Sequence, residues 1–372
     1  MKNVKNILIV TLVLVMTIVS GCSSTEDVAV EQQNLEDQDL GTTTVTDMAG
    51  RTVEIPTKIE KVYCKSPIST ILVYTLAPEK LAGWNYGFTE NEKKYLPEKY
   101  ANLPVLGGWF GKNNTGNIEE ILKADPDIII DMGEINDTEI DADETLQKQI
   151  DIPIVIVRNE KLDDLANAYT FIGEIIGEEK RAEELAGYCR NTIDDALEKS
   201  KELNIEDRVK VYYAEGAKGL NTEPKGSYRM EVVRMVGGEN VAQLSKDSSY
   251  GHSNVSLEQV LLWNPDVIIT VAESSDDNLS FFETIYDNEE WKDVKAVKNK
   301  KVYGIPQNPF GWFDRPPSVN RVIGIKWVGN ILYPEIYDYD MVHEVKNFYK
   351  MFYHYDLSDE EARDFLNIGQ QE

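Results

Sequence analysis

Basic side chains that could bind an anion occur at a few separate places in this acidic sequence. The most distinctive is Arg315, in a DRPP motif whose two prolines stiffen the loop, because a planar guanidinium matches a carboxylate or an oxyanion. The preceding aspartate could instead pair with it and make the loop purely structural. Lys65, Arg229 and His252 could add positive charge. His252 could also ligate a metal centre directly, or be an ordinary hydrogen-bonded loop residue. The set predicts a site for an anionic ligand, such as an anionic metal chelate.

Large aromatic residues occur in the same kind of segment, after the predicted strands. A large ring is costly to expose in a loop unless it lines a cleft, although it could also cap the end of a hydrophobic core. We predict the cleft position for these residues. They are Trp84, Trp109, Phe110 and Trp312.

Few residues of this sequence are arranged in a pattern that suggests catalysis. Cys64 could in principle pair with His252, but a cysteine at a strand end is more often a small packed residue. The glycine-rich segment 107–111 lacks the lysine and the serine or threonine of a phosphate loop. We therefore expect a binding protein with no catalytic residue, resident metal or cofactor. A metal-handling enzyme such as a chelatase is the alternative of another class.

The overall charge excludes one large class of partners. The 372 residues include 38 basic and 65 acidic ones, for a formal net charge of -27, which would repel nucleic acid. Three cysteines and three histidines exclude a disulfide scaffold and a His-rich metal site. Cys64 and Cys189 could pair outside the cell, although their expected places on a strand and on a long helix disfavour a bridge.

The N-terminus has the pattern of an export signal. Two lysines precede an apolar run at 7–19, which is short for a membrane-spanning helix. The following Ser-Gly-Cys22 resembles the bacterial lipobox, in which the thiol is lipidated and the chain is cut before it. An uncleaved anchor or an ordinary cut with a free Cys22 are the alternatives. We predict a signal peptide at 1–21, an acidic tether at 22–41, and an extracytoplasmic protein held to the membrane by a lipid.

The rest of the chain alternates short apolar runs with helical segments, which is typical of parallel strands covered on both faces by helices. The segment 178–203 is rich in helix formers and would span roughly 39 Å as a helix. We predict an α/β fold in which this helix joins two parallel-sheet lobes at 42–177 and 204–372. Ligands of such sheets lie beyond the carboxyl ends of the strands.

An internal repeat supports two lobes of the same construction. Residues 118–130 align with residues 257–269, and six of the 13 positions are identical. Each copy reads as a helix, a Pro-Asp turn and a buried strand. Units of this kind look alike in many α/β proteins, but Glu119 and Glu258 at the helix start are repeated as well.

In combination, these features resemble the solute-binding proteins of bacterial ABC importers for iron-siderophore, haem and cobalamin. The matching parts are the lipobox, the pattern D-x-x-G-R-x-V-x-I-P at 47–56, both E-x-x-L…P-D units, and G-G-E-N-V at 237–241. The resemblance covers about residues 44–335. It implies two lobes joined by a single long helix, with the ligand in the cleft between them.

The resemblance also implies the ligand class and the partner. We expect a metal chelate, with a ferric siderophore first. The alternatives are an oxyanion such as molybdate or tungstate, or a nickel, haem or cobalamin complex. Segments 313–318 and 348–354 resemble a subgroup with varied ligands. In the family, glutamates of the repeated motif pair with arginines on a two-fold related permease, which implies docking by Glu119 and Glu258. An acid stabilised by the helix dipole is the simpler explanation for either residue alone.

Overall fold

The computed structural model describes residues 41–111, 114–244, 253–271 and 280–367. The predicted signal peptide, nearly all of the tether, Cys22 and His252 lie outside the described residues.

The first lobe is built around a three-stranded parallel sheet of order β3-β6-β7. An antiparallel hairpin, β1–β2, precedes this sheet, and a second hairpin, β4–β5, follows its first helices. The elements are β1 (Thr42–Thr46), β2 (Thr52–Pro56), β3 (Val62–Cys64), α1 (Pro67–Leu76), α2 (Glu90–Lys93), α3 (Glu98–Ala101), β4 (Gly107–Phe110), β5 (Asn114–Gly116), α4 (Ile118–Ala124), β6 (Ile128–Gly133), α5 (Asp137–Ile150), β7 (Ile154–Arg158) and α6 (Asp164–Ile176).

The second lobe contains a four-stranded parallel sheet of order β10-β8-β12-β13. A short antiparallel pair, β9–β11, lies beside it. The elements, after the helix α7 (Glu179–Ser200), are β8 (Lys210–Ala214), β9 (Asn221–Thr222), α8 (Glu231–Met235), β10 (Glu239–Asn240), β11 (Ser253–Asn254), α9 (Leu257–Trp263), β12 (Val267–Val271), α10 (Phe281–Thr284), α11 (Lys295–Lys298), β13 (Val302–Ile305), α12 (Asn320–Leu332), α13 (Met341–Phe348) and α14 (Asp359–Asn367). A π-helical turn, Tyr349–Tyr353, extends α13.

The predicted α/β class is confirmed, and α7 is the predicted connecting helix. It has 22 residues, a few fewer than the predicted 178–203, and is about 33 Å long. Its buried face includes Leu185, Ala186, Cys189 and Ile193, which recur at the spacing of one helical face. Cys189 and Cys64 are both buried and free. Burial in apolar surroundings raises the pKa of both thiols, so they pack as small apolar side chains.

The repeated unit folds in the same way in both lobes. Helices α4 and α9 each have seven residues, and each ends in a left-handed residue, Asp125 at φ 51° and Asn264 at φ 44°. The aspartate of each Pro-Asp turn then accepts a hydrogen bond from the backbone amide of the neighbouring strand's lysine. At all 13 aligned positions, the two copies agree on whether the residue is buried, half-buried or exposed. The repeat is therefore present in the structure as well as in the sequence.

The junction of α6 and α7 provides a packing test. Gly173 of α6 lies against the Ala182 side chain of α7, and a methyl group added at Gly173 would collide with it, whereas Gly187 of α7 faces open space. We predict that Gly173→Ala lowers the free energy of unfolding by about 1 to 3 kcal/mol through overpacking. Gly187→Ala, the matched control, should raise it by about 0.5 to 1 kcal/mol through helix propensity. Chemical denaturation measures both, and an equal gain in stability for the two variants would contradict this packing.

Candidate ligand-binding site

The carboxyl ends of the central strands lie close to the contact between the two lobes. Lys65 directly follows β3 and Glu215 directly follows β8. The Ser318 hydroxyl, on the loop that carries Arg315, donates a hydrogen bond of 2.9 Å to the carbonyl oxygen of Ile68 in the first turn of α1. The arginine loop of the second lobe therefore meets the helix that starts beside Lys65.

Two arginines of the second lobe are held by buried carboxylates. The Arg315 guanidinium bonds Glu215, whose side chain is 1% exposed. Arg229 Nη1 lies 3.0 Å from Asp314 Oδ2, and the Tyr213 hydroxyl donates to Asp314 Oδ1 over 2.9 Å. The network fixes both guanidiniums in place, while 42% of the Arg315 side chain and 21% of the Arg229 side chain stay exposed.

The alternative in which Asp314 pairs with Arg315 holds in part. The Arg315 Nε atom forms an ion pair with Asp314 Oδ2 at 3.7 Å, while the closer contacts of Asp314 are with Arg229 and Tyr213. Burial raises the pKa of Tyr213 well above its ordinary value, so the phenol remains a neutral donor to this carboxylate. Asp314 is therefore a positioning group for Arg229, and Glu215 takes that role for Arg315.

Lys65 belongs to a separate network in the first lobe. Its Nζ donates to Asp143 Oδ1 over 2.6 Å and to Asp131 Oδ2 over 2.8 Å, and Glu139 Oε2 lies at 3.7 Å. Only 7% of the lysine side chain is exposed. The prediction that Lys65 supplies positive charge to an anion is therefore wrong, because surrounding carboxylates already neutralise it. Burial, and next the charge of Asp131, raise the pKa of Asp143, with Lys65 opposing both.

An open pocket of about 810 Å³ lies next to this network. Its lining includes Lys65, Trp109, Phe110, Asp131, Glu139 and Asp141. The Trp109 amide donates to the carbonyl oxygen of Lys65 over 2.8 Å, which ties the β4–β5 hairpin to the end of β3. The ring of Trp109 covers Gly116, where a larger side chain would collide with it. Lys65, Trp109 and Phe110 therefore share one pocket, whose lining acids suit a neutral or cationic group.

Two of the predicted cleft aromatics lie in the core. Trp84 is 3% exposed, and its indole N–H donates to the carbonyl oxygen of Tyr100 over 2.7 Å. Trp312 has no exposed surface, and its indole N–H donates to the Tyr349 hydroxyl over 3.2 Å. The prediction that they line the cleft is wrong for both, and the alternative that they fill the core describes them. The rings of Tyr349, Trp327 and Phe365 pack around Trp312.

Several residues of the two networks were not predicted from the sequence. Glu215, Asp131 and Asp143 form the carboxylate partners, and Tyr228, 42% exposed, lies with its ring 5.5 Å from the Arg229 guanidinium carbon. The sequence does contain a weak indication that Glu215 and Asp131 belong to such networks. Each acid directly follows hydrophobic residues of a central strand, where a charge needs a partner.

The two repeated glutamates are exposed at the first turns of α4 and α9. The caps of these helices are provided by other residues, because the Asn117 and Ser256 side chains each accept a backbone amide over 3.3 Å. Hydrogen bonds from its own backbone amide and from Ser256 lower the pKa of Glu258. Glu258 therefore interacts with the N-terminus of its own helix, as the helix-dipole explanation expects for that residue, although the capping of both helices is provided by Asn117 and Ser256.

The Lys65 network generates a prediction about pH. A carboxyl whose pKa is raised in the folded state binds protons there more readily than in the unfolded chain, so its contribution to stability falls as the pH rises above about 4. Asp143→Asn removes this contribution. Wild type loses this contribution as the pH rises and the variant has none to lose. The difference in the free energy of unfolding, variant minus wild type, should therefore become more positive between pH 4 and pH 7.5. Urea titrations across this range measure it, with the exposed neighbour Asp141→Asn as the control. A pH-independent difference for Asp143→Asn would contradict the raised pKa.

The chain matches proteins of known class over most of its length. The family model described as "Periplasmic binding protein" matches residues 84–309. The molybdate-binding protein MolA of Haemophilus influenzae is 27% identical over 340 residues, which span 83% of this chain and 90% of that protein. IsdE of Staphylococcus aureus, a high-affinity heme uptake system protein, is 28% identical over 222 residues, 59% of this chain and 71% of its own.

Solved structures of solute-binding proteins are also similar to this chain. An ABC transporter solute binding protein from Sulfurospirillum deleyianum superposes with a TM-score of 0.79 at 33% identity, covering 87% of this chain and 99% of that one. A periplasmic solute binding protein from Veillonella parvula gives a TM-score of 0.70 at 27% identity, over 88% and 98% of the two chains. No helix in the described ranges has the length and apolar character to cross a membrane. From the family match and these relatives, the chain belongs to the periplasmic binding protein family and is a solute-binding protein of an ABC importer.

Proposed function

We propose that this protein captures an oxyanion such as molybdate or tungstate with Arg315 and Arg229. The observation that carries the proposal is the pair of guanidiniums fixed by the buried carboxylates Glu215 and Asp314. A rigid, planar fork of N–H donors is suited to the oxygens of a small anion. The partly exposed face of Arg315 is the part of the network that a solute can reach.

The position of the arginine loop adds to this argument. Through the Ser318 contact it lies against the first turn of α1, where the positive end of a helix dipole favours an anion. MolA, whose similarity extends over 83% of this chain, is described as binding molybdate. Because Glu215 already bonds Arg315, the anion must share that guanidinium with the carboxylate, and modest affinity is expected.

A ferric siderophore, the first expectation from the sequence, is the second candidate. The pocket of about 810 Å³ beside Trp109 and Phe110 falls in the size range of sites for organic ligands. Its acids, Asp131, Glu139 and Asp141, favour a neutral or cationic chelate over an anionic one. Haem uptake by a relative supports a large chelate in the same way.

Two further properties complete the proposal. The solute is bound stoichiometrically and released unchanged, so a bound ligand recovered chemically intact after long incubation supports a carrier rather than a chelatase. The mature protein is anchored through a lipid on Cys22. Mass spectrometry of the N-terminal peptide, with Cys22→Ala as the control, tests the lipid directly.

Removal of the arginine should weaken ligand binding. We predict that Arg315→Ala costs about 1.5 to 3 kcal/mol of binding free energy for tungstate or molybdate, because hydrogen bonds from a charged donor to the anion are lost. Combining it with Glu215→Gln avoids leaving a buried carboxylate that has lost its Arg315 partner. Isothermal titration against molybdate, tungstate, ferric siderophores and haem measures the effect.

The control for this experiment is Arg190→Ala, which removes an exposed ion pair on α7. It should bind normally. Oxyanion affinity that is unchanged in the Arg315 variants would exclude the arginine site. Binding of a ferric siderophore that is lost in Trp109→Ala would establish the second candidate in its place.

We also propose that Glu119 and Glu258 dock on the two related subunits of the permease. Their exposure at matched positions of both lobes is the supporting observation. Glu119→Ala combined with Glu258→Ala should lower stimulation of the transporter ATPase by at least ~10-fold, because two charge pairs are lost.

Ligand affinity and thermal stability should stay near wild type in that double variant, since both side chains are exposed. Glu120→Ala with Gln259→Ala, the next residues on the same helices, forms the matched control. Full ATPase stimulation by the Glu119 and Glu258 variant would refute the docking role.

A further inference from the structure

Two exposed leucines accompany the repeated glutamates. Leu122 of α4 is 46% exposed and Leu261 of α9 is 36% exposed. They occupy the same position of the 13-residue unit, and each lies three residues after the docking glutamate of its helix. Residues three apart share one face of a helix, so each lobe presents a carboxylate and a leucine side by side.

The exposed apolar residues are unevenly distributed. Among the described residues, the large hydrophobic side chains that remain exposed are Val105, Leu122, Leu197, Ile205, Tyr228, Leu261 and Leu262. Three of these seven lie on α4 and α9, although the two helices contain only seven residues each. A single exposed leucine needs no explanation, but the same exposure at repeated positions of two lobes does.

We propose that Leu122 and Leu261 are apolar docking contacts for the two-fold related subunits of the permease, beside the glutamates. The inference rests on the proposed docking role of Glu119 and Glu258. The partner surface has, on each subunit, a basic residue for the glutamate and an apolar patch for the leucine. Neither leucine is needed for the core, because the burial of each helix is supplied by Ile121 in α4 and Val260 in α9.

The two contacts differ at the next position, where α4 has Lys123 and α9 has Leu262, which is 80% exposed. This residue is four positions after Glu258 and extends the same face. The contact of the second lobe is therefore more apolar than that of the first, so the two ends of the binding protein are similar without being identical.

The experiment measures docking of the full binding protein on the cognate importer in nanodiscs, by biolayer interferometry without ligand. Leu122→Ser with Leu261→Ser should weaken docking by about tenfold, the loss expected when two partly exposed leucines no longer bury apolar surface. Leu122→Met with Leu261→Met should dock within about twofold of wild type, because the apolar area is kept. Leu197→Ser, at a site 38% exposed on α7, is the matched control and should have no effect.

The possible results separate this inference from the glutamate proposal. Normal docking by the serine double variant, with docking lost in the Glu119 and Glu258 variant, overturns the leucine contact alone. Normal docking by both double variants overturns the docking face altogether. An equal loss for Leu197→Ser also overturns the inference, since it would show a general effect of removing surface leucines. Circular dichroism and the thermal midpoint confirm that the variants are folded.

Discussion

Buried carboxylates hold the basic side chains beside the strand ends of this protein. Arg315 is bonded by Glu215, Arg229 by Asp314, and Lys65 by two aspartates. Removing Arg315 or Arg229 would take a charged partner from a buried carboxylate, which costs more than the intact pair contributes. The pairs therefore add little net stability, but they set the direction of each cation. In a chain with a net charge of -27, such fixed cations are what the proposed anion site depends on.

The carboxylates are placed differently around the cations in the two lobes. In the second lobe the carboxylates lie behind the arginines, and Arg315 keeps 42% of its side chain exposed. In the first lobe they surround Lys65, which is almost fully buried, and they also line the adjoining pocket. The proposed anion site thus belongs to the second lobe. The first lobe contributes an aromatic, acidic wall that would repel a free anion and accept a neutral or cationic part of a solute.

The architecture was predictable because its signals are local. The apolar runs of the parallel strands, the long connecting helix and the repeated unit are each visible within a short window, and the structure contains all of them. The site was less predictable, because its pairs join distant residues. Lys65 and Asp131 are 66 residues apart, and Arg315 and Glu215 are 100 apart. The tryptophans were ambiguous for the same reason, since the Tyr349 hydroxyl that accepts the Trp312 indole N–H lies 37 residues later in the chain.

Anomalous diffraction from crystals soaked in tungstate tests the central claim most directly. Data collected at the tungsten edge locate the ion without reference to any assumed ligand pose. The account predicts one strong peak about 4 Å from the guanidinium nitrogen atoms of Arg315 and Arg229, where the tungstate oxygens would accept their hydrogen bonds. A peak confined to the pocket beside Lys65 and Trp109, or no peak near either arginine at saturating tungstate, would contradict it.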